Sequence, residues 1–133
     1  MDETSAAKLD HIAIYVRDAD RSAAFYKELF DLRQVPAPVP FARWLMLADG
    51  SMLHIVPGRP SRVTNARWDH IAFAVPDLTE MVRRLEARKL RWSDINDNPA
   101  PQTRPDGVQQ IFIQDPDGYW IEINDGLKQR ARR

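Results

Sequence analysis

Cysteine is absent from the 133-residue chain. Disulfides, zinc–thiolate sites, iron–sulfur clusters and a cysteine nucleophile are therefore excluded, and any metal must be bound through nitrogen and oxygen. The absence agrees with a reducing compartment, and we predict a cytoplasmic protein. Residues 1 to 8 also lack an apolar stretch, so the sequence predicts neither a signal peptide nor a transit peptide.

A net charge is also missing, because 19 Lys and Arg residues balance 19 Asp and Glu residues. Without a global positive field, a nucleic acid is not expected as the main partner. The apolar runs reach only strand length, which predicts no membrane span. What is present is an ordinary globular composition, with 44% hydrophobic and 29% charged residues, and a length that fits a single domain with a packed core.

An internal repeat organises the chain. Residues 9–18 and 68–77 share Asp, His, Ile, Ala, Val and Asp at matching positions. Each copy begins as a strand and ends on an aspartate that can cap the following helix. The predicted divisions are module one at about 8–57, a linker at 58–67, module two at about 68–125, and a basic tail at 126–133 that is expected to be a solvated terminus.

Hydrophobic spacing predicts one helix and four strands in each module. Phe25 and Leu29 mark the buried helix face in module one, and Met81 and Leu85 mark it in module two. The fold class is therefore α+β, with two βαβββ modules in which a helix lies on one face of a four-stranded sheet. In module two the second strand is expected at residues 91–94, followed by a polar loop over residues 96–107.

Each module ends in a hairpin, and the turn decides which side chains share a face. We interpret Asp49-Gly50 as a two-residue turn, which pairs Leu45 with His54 and Arg43 with Val56. In the second hairpin we expect a bulge at Gly118. That bulge pairs Ile111 and Ile113 with Ile123 and Ile121 on the helix side and leaves Glu122 on the open face.

All three histidines of the chain are predicted to lie on the open faces together with Glu122. In the first and fifth strands, His11 and His70 are followed on the same face by small alanines, which leave room for a ligand. His54 joins them from the fourth strand. Three neutral imidazoles and a carboxylate suit Zn, Fe(II), Mn, Co or Ni and leave one or two coordination positions free. The alternative is that each histidine only packs or forms a hydrogen bond.

Five further side chains are predicted to bind a small-molecule substrate on these faces. Tyr15 and Gln110 can orient it by hydrogen bonds, and Arg43 can hold a carboxylate. Phe112 and Trp120 can stack on an apolar or aromatic group. The alternative for each is packing or a solvated surface position.

The repeated Asp10-His-Ile-Ala and Asp69-His-Ile-Ala, together with the closing Asp115-Pro-Asp-Gly-Tyr-Trp-Ile-Glu122, resemble the vicinal oxygen chelate superfamily, the glyoxalase/bleomycin resistance protein/dioxygenase family. The resemblance implies that one divalent metal is held by His11, His54, His70 and Glu122. It also implies that the two modules lie edge to edge around a curved, half-open mixed sheet cleft. Together with exposed sheet edges it predicts a homodimer.

The function expected from this resemblance is glyoxalase-like lyase or isomerase chemistry. The metal acts as a Lewis acid on vicinal substrate oxygens, and Glu122 is both a ligand and the candidate base for proton transfer next to a carbonyl. His54 is a departure, because glyoxalase I usually has a carboxylate at this place and methylmalonyl-CoA epimerase an amide. Two alternatives stay open: an Fe(II) extradiol-type dioxygenase, and a drug-binding protein like those of bleomycin resistance.

Overall fold

A computed structural model describes residues 5–130 of the chain. It contains two compact units, the first ending at Ser61 and the second beginning at Arg62. Each unit is a βαβββ module with a four-stranded mixed sheet. The α+β fold class predicted from the repeat is therefore confirmed.

Unit one is built around a sheet in which β1 and β4 are parallel and the other neighbours antiparallel. The strand order is β1-β4-β3-β2. Its elements are β1 (His11–Val16), α1 (Ala19–Phe30), β2 (Arg33–Val35), β3 (Arg43–Met46) and β4 (Met52–Pro57). Because the first and last strands are neighbours, their side chains meet on one face.

Unit two repeats this topology, with the strand order β5-β8-β7-β6 and with β5 and β8 parallel. Its elements are β5 (His70–Ala74), α2 (Leu78–Ala87), β6 (Gln102–Thr103), β7 (Gln109–Gln114), β8 (Trp120–Asn124) and α3 (Gly126–Arg130). The predicted basic tail thus begins as a short helix, while residues 131–133 and 1–4 lie outside the described residues.

Both long helices begin at the aspartates that end the repeat. The Asp18 carboxylate accepts a hydrogen bond from the Arg21 N–H at 3.1 Å, and Asp77 accepts one from the Glu80 N–H at 3.0 Å. Each side chain satisfies a backbone donor that the first helical turn leaves without a partner. The capping signal in the sequence therefore fixes where each helix starts.

One face of each helix packs on its own sheet. The spacing of apolar residues predicted the buried face correctly in α2 but only in part in α1. In α2, Met81 and Leu85 are buried as predicted. In α1, Leu29 is fully buried, yet the aromatic in the core is Tyr26 and not Phe25, which is only half-buried. A shift of one position is 100° around a helix, so neighbouring aromatics cannot both face the sheet.

The first hairpin corrects the predicted strand register. The Gly50 N–H donates to the Leu47 oxygen at 3.1 Å, and the Leu47 N–H donates to the Ser51 oxygen at 2.9 Å. Gly50 has φ +89, so the loop has three residues and ends in a glycine bulge. The two-residue turn was wrong, and every residue of β3 therefore moves to the opposite face from the one predicted.

The observed register pairs Trp44 with His54 and Arg43 with Ile55. Trp44 is thus the open-face neighbour of His54, and Leu45 is fully buried on the helix side. In the second hairpin the expected bulge at Gly118 is present. Its register is also as predicted, with Phe112 opposite Glu122.

The second strand of unit two is in a different place from the predicted one. Residues 91–94 contribute only a single bridge, between Ser93 and Phe112. The second strand of this unit is instead β6, which consists of only Gln102 and Thr103. It lies inside the segment predicted as a polar loop. Two residues carry too little hydrophobic periodicity to be distinguished from a loop.

Within residues 5–130, no helix has both the length and the apolarity that crossing a bilayer requires.

Candidate metal-binding pairs of the two units

The open face of unit one brings His11 and His54 into contact. Ala13 lies beside His54 in the parallel register of β1 and β4, and its small side chain leaves space over the sheet. The His11 and His54 rings stack with centroids 3.9 Å apart and planes 15° apart. On the other side of His54, the Trp44 ring stacks at 4.0 Å and 5°. The His54 imidazole is therefore fixed between two flat rings.

His54 has a donor atom that nothing in the described chain satisfies. Its Nε2 is buried and has no hydrogen-bond partner among residues 5–130. Burial lowers the pKa of His54 below its ordinary value, and the charge that His11 can carry lowers it further, against a smaller opposing effect of Asp10. The side chain is therefore a neutral imidazole near pH 7, the form that binds metal ions.

His11 is oriented by the residue before it. Its Nδ1 lies 2.7 Å from an Asp10 carboxylate oxygen. Because an ionised carboxylate only accepts hydrogen bonds, Nδ1 carries the proton and the lone pair of neutral His11 is on Nε2. A carboxylate or carbonyl on the far nitrogen is the usual partner of a metal-binding histidine.

The open face of unit two brings His70 and Glu122 together. The His70 Nδ1 lies 2.8 Å from the Arg67 carbonyl oxygen, which also only accepts, so the Nε2 of neutral His70 carries a lone pair. That Nε2 lies 3.4 Å from Glu122 Oε1. Two electron-pair donors that face each other at this distance are stabilised by a cation, which is either a proton on His70 or a metal ion.

Glu122 is buried and held by hydrogen bonds on one side only. Its exposed fraction is 7%, and the Asn124 Nδ2 donates to its Oε2 at 2.7 Å. The Asn124 Oδ1 accepts from the Gly126 N–H at 2.9 Å, which sets the orientation of the amide. Because Asn124 fixes Oε2, Oε1 is left directed at His70.

The four predicted ligands thus occur as two pairs, His11 with His54 and His70 with Glu122. A group of three or more His, Cys, Asp or Glu side chains suited to a metal is not found within the described range 5–130. The unit-one pair offers two imidazole nitrogens, and the unit-two pair offers one imidazole nitrogen and one carboxylate oxygen. Each pair therefore fits about half of a nitrogen and oxygen coordination sphere.

The comparison with protein families identifies the superfamily to which the chain belongs. The model of the Glyoxalase/Bleomycin resistance protein/Dioxygenase superfamily matches residues 8–123, which include both pairs. The chain belongs to this superfamily. The recognition made from the repeated Asp-His-Ile-Ala and the closing Asp-Pro-Asp-Gly segment is confirmed.

Named relatives of this superfamily member include enzymes. A putative lactoylglutathione lyase of Brassica oleracea var. gemmifera is 27% identical over 123 residues, which cover 85% of this chain and 42% of that protein. The structure of the oxidase ChaP-H1 is 27% identical, has a TM-score of 0.74, and is matched over 90% of this chain and 95% of its own.

A third similar structure is that of a mutant of the fosfomycin resistance protein FosX from Listeria monocytogenes, complexed with Mn(II) and 1S,2S-dihydroxypropylphosphonic acid. It is 22% identical, has a TM-score of 0.74, and is matched over 96% of this chain and 98% of its own. At this identity the likeness shows a shared fold.

The predicted substrate-binding residues of this superfamily member lie in different surroundings. Phe112 contacts the His70 ring edge-to-face at 5.2 Å, and Trp120 lies under the Arg67 guanidinium at 4.2 Å. Gln110 is buried on the same strand face as Glu122. Phe112, Trp120 and Gln110 therefore belong to the open face of unit two, as predicted.

Tyr15 and Arg43 of unit one are engaged elsewhere. The Tyr15 hydroxyl donates to the Gly58 oxygen at 2.7 Å and secures the chain after β4. Arg43 shares the helix-side face with Ile55, and its Nε donates to the Asp20 carboxylate of α1 at 3.1 Å. Its predicted place on the open face was wrong, because the three-residue turn shifts the pairing of β3 with β4 by one residue.

Four residues that the sequence reasoning gave no role are part of these surroundings: Asp10, Trp44, Arg67 and Asn124. Asp10 carried a usable signal, since it directly precedes the first histidine. Its counterpart Asp69 makes no such bond, because the Arg67 carbonyl takes that place beside His70. The other three depend on register and loop geometry.

Proposed function

We propose that the protein is a metal-dependent enzyme in which His11, His54, His70 and Glu122 bind one divalent transition metal. The observation that carries this proposal is the His70–Glu122 pair, where two donor atoms face each other at 3.4 Å with the opposite nitrogen of the imidazole already hydrogen-bonded. The buried Nε2 of His54, which has no partner within residues 5–130, supports it independently. The proposal includes a homodimer.

The donor set suits Zn, Ni, Fe, Mn or Co. When bound, the ion supplies Lewis acidity to two adjacent substrate oxygens and favours an enolate-like anion. The Mn(II) in the FosX complex is consistent with this choice. The intact ligands are the reason for preferring an enzyme to a drug-binding protein of the bleomycin-resistance kind.

The reaction we propose is proton transfer at a carbon next to a carbonyl, of the lyase or isomerase type. Glu122 is the candidate base, because Asn124 holds only Oε2 and leaves Oε1, the oxygen that faces His70, as the one that can accept a proton from a substrate carbon. Burial at 7% exposure limits competition from water. Similarity to the plant lactoylglutathione lyase supports a small 2-oxoaldehyde–thiol adduct as substrate.

An oxygen-dependent reaction is the second candidate, favoured by similarity to the oxidase ChaP-H1. Histidines and one carboxylate also suit Fe(II) in oxygenases. The two candidates are separated by supplying the Fe(II)-loaded protein with a catechol in an oxygen electrode. Oxygen uptake supports the second candidate, and isomerisation of the adduct without uptake supports the first.

Metal binding tests the shared site directly. We expect the stripped protein to take up about one equivalent of Co(II) per chain, with a visible spectrum typical of histidine ligation. His11→Ala and His70→Ala are each expected to lose nearly all of it, because a ligand pair from one unit is a weak site alone. Glu86→Ala, an exposed acid on α2, serves as the control.

The result that would overturn the shared site is about one full equivalent of tightly bound metal in both histidine variants, since each pair would then bind its own ion. Light scattering on the same samples should give twice the 15.4 kDa of one chain. Circular dichroism checks that the variants are folded.

Asn124 is expected to act on the metal through Glu122. Asn124→Ala removes the donor to Oε2 and frees the carboxylate to rotate, so we expect divalent-metal affinity to fall by about 10- to 100-fold. Calorimetric titration with Mn(II) measures it. Asn96→Ala, in an exposed loop, is the matched control, and an unchanged affinity in Asn124→Ala would show that Glu122 is not a ligand held in this way.

A further inference from the structure

Unit two contains a cleft beside the His70–Glu122 pair. Its volume is about 280 Å³, and its lining includes Arg67, Arg91, Trp92, Asp97, Phe112 and Trp120. This is close to the lower end of the range for small-molecule pockets, roughly 300–1,000 Å³. Phe112 belongs both to the cleft and to the surroundings of His70, so the cleft adjoins the proposed metal ligands.

The lining combines aromatic surfaces with fixed positive charge. The Arg67 guanidinium lies 4.2 Å from the centre of the Trp120 ring. Its Nη1 donates to the Asp94 carbonyl at 2.8 Å and to the Ser93 hydroxyl at 3.3 Å. These contacts fix the position of the guanidinium group. Arg67 is therefore a preorganised cation rather than a mobile surface arginine.

The two arginines of the cleft share one carboxylate. Arg91 Nη2 donates to both Asp97 oxygens, at 2.6 and 2.7 Å, whereas Arg67 Nη2 reaches Asp97 only at 3.5 Å. The nearby Asp94 carboxylate does not line the cleft and accepts from the backbone and side chain of Asn98. The lining therefore has one positive charge more than it has negative charges.

We propose that this cleft binds a planar aromatic carboxylate. Trp92 and Trp120 are partly exposed and provide the stacking area. The carboxylate is placed between Arg67 and Arg91, where it takes over contacts that Asp97 makes with Arg91. The binding itself depends on unit two alone. We further infer that the bound group is part of the substrate, since Phe112 of the cleft lies next to His70. This second step rests on the proposed function.

Calorimetry with the full-length protein in EDTA tests binding without any metal. Naphthoate is the probe, naphthalene methanol its neutral planar control, and cyclohexane carboxylate its non-planar anionic control. We expect naphthoate to bind at least about tenfold more tightly than either control compound. In NMR spectra, the indole N–H signals of Trp92 and Trp120 should shift with naphthoate, whereas that of Trp68, which is 76% exposed and outside the lining, should not.

Matched variants locate the site. Arg91→Gln and Trp92→Leu are each expected to weaken naphthoate binding by about tenfold. Arg83→Gln on the exposed face of α2 and Trp68→Leu should leave it unchanged. The proposal would be overturned if naphthoate and its neutral control bound with equal affinity, or if no saturable binding of naphthoate occurred. It would also be overturned if the cleft variants and the control variants changed naphthoate affinity equally. Since EDTA is present throughout, these outcomes are independent of whether the metal site exists.

Discussion

Glu122→Gln is expected to lower turnover of a 2-oxoaldehyde–thiol adduct by about 10²- to 10⁴-fold, the usual contribution of a general base. Glutamine has nearly the same shape, but its amide cannot accept the substrate proton. Its single oxygen can either accept from the Asn124 Nδ2, which donates to Glu122 Oε2 at 2.7 Å, or face the metal, so metal binding has to be checked in this variant. The rate and the bound metal are measured on the same preparation.

The comparison with metal content separates the two roles of Glu122. If Glu122→Gln keeps its metal and loses its turnover, the carboxylate is the base. If it keeps both, Glu122 is a ligand and the base is another group. Glu86→Gln, exposed on α2, controls for the change in charge. Exchange of the substrate carbon-bound hydrogen with deuterated solvent reports proton abstraction even when product release limits turnover.

Gly118→Ala is expected to destabilise the fold by about 3 kcal/mol, whereas Gly50→Ala costs about 1 kcal/mol. Both glycines end equivalent three-residue turns, with φ +94 and +89. At Gly118 an added Cβ would lie 2.9 Å from the Val63 carbonyl oxygen, while at Gly50 nothing lies within 4 Å. Gly50→Ala therefore measures the backbone strain alone, and the difference between the variants measures the contact.

The Val63 carbonyl has little freedom to move away, because the Val63 N–H donates to the Asp117 oxygen of the same turn at 2.8 Å. Urea unfolding followed by circular dichroism gives both free energies. The difference should appear as a lower midpoint with an unchanged slope. Equal losses for the two alanine variants would show that the segment at Val63 yields at no cost and would contradict this account.

The two turns also show where local sequence signals predicted the structure and where they did not. Both end in Asp-Gly, and the bulge was predicted at Gly118 but not at Gly50. The repeat itself could have supplied the correct answer, because equivalent hairpins in duplicated modules are expected to keep the same turn. The error moved Arg43 to the wrong face and concealed Trp44, which stacks on His54.

Periodicity and capping residues were sufficient for the elements that are long. The strands with His11 and His70 and the helices that follow Asp18 and Asp77 are where the pattern places them. The two-residue strand β6 was not predictable in this way, since its pairing with β7 depends on main-chain groups brought together by the fold. Short edge strands carry almost no side-chain signal.

By itself the sequence determined the duplicated βαβββ fold, because alternating apolar residues and capping aspartates are local properties that each module repeats. It also determined which side chains of β1, β4, β5 and β8 share the open faces, since strand alternation is fixed by the backbone. Only the tertiary structure decided that His54 is enclosed by His11 and Trp44 and that Arg67 and Asn124 orient His70 and Glu122. The His54 contacts depend on strand pairing, which a one-residue difference in turn length would change. The Arg67 and Asn124 contacts are local in the chain, but they depend on loop and side-chain geometry that the spacing of residue types does not specify.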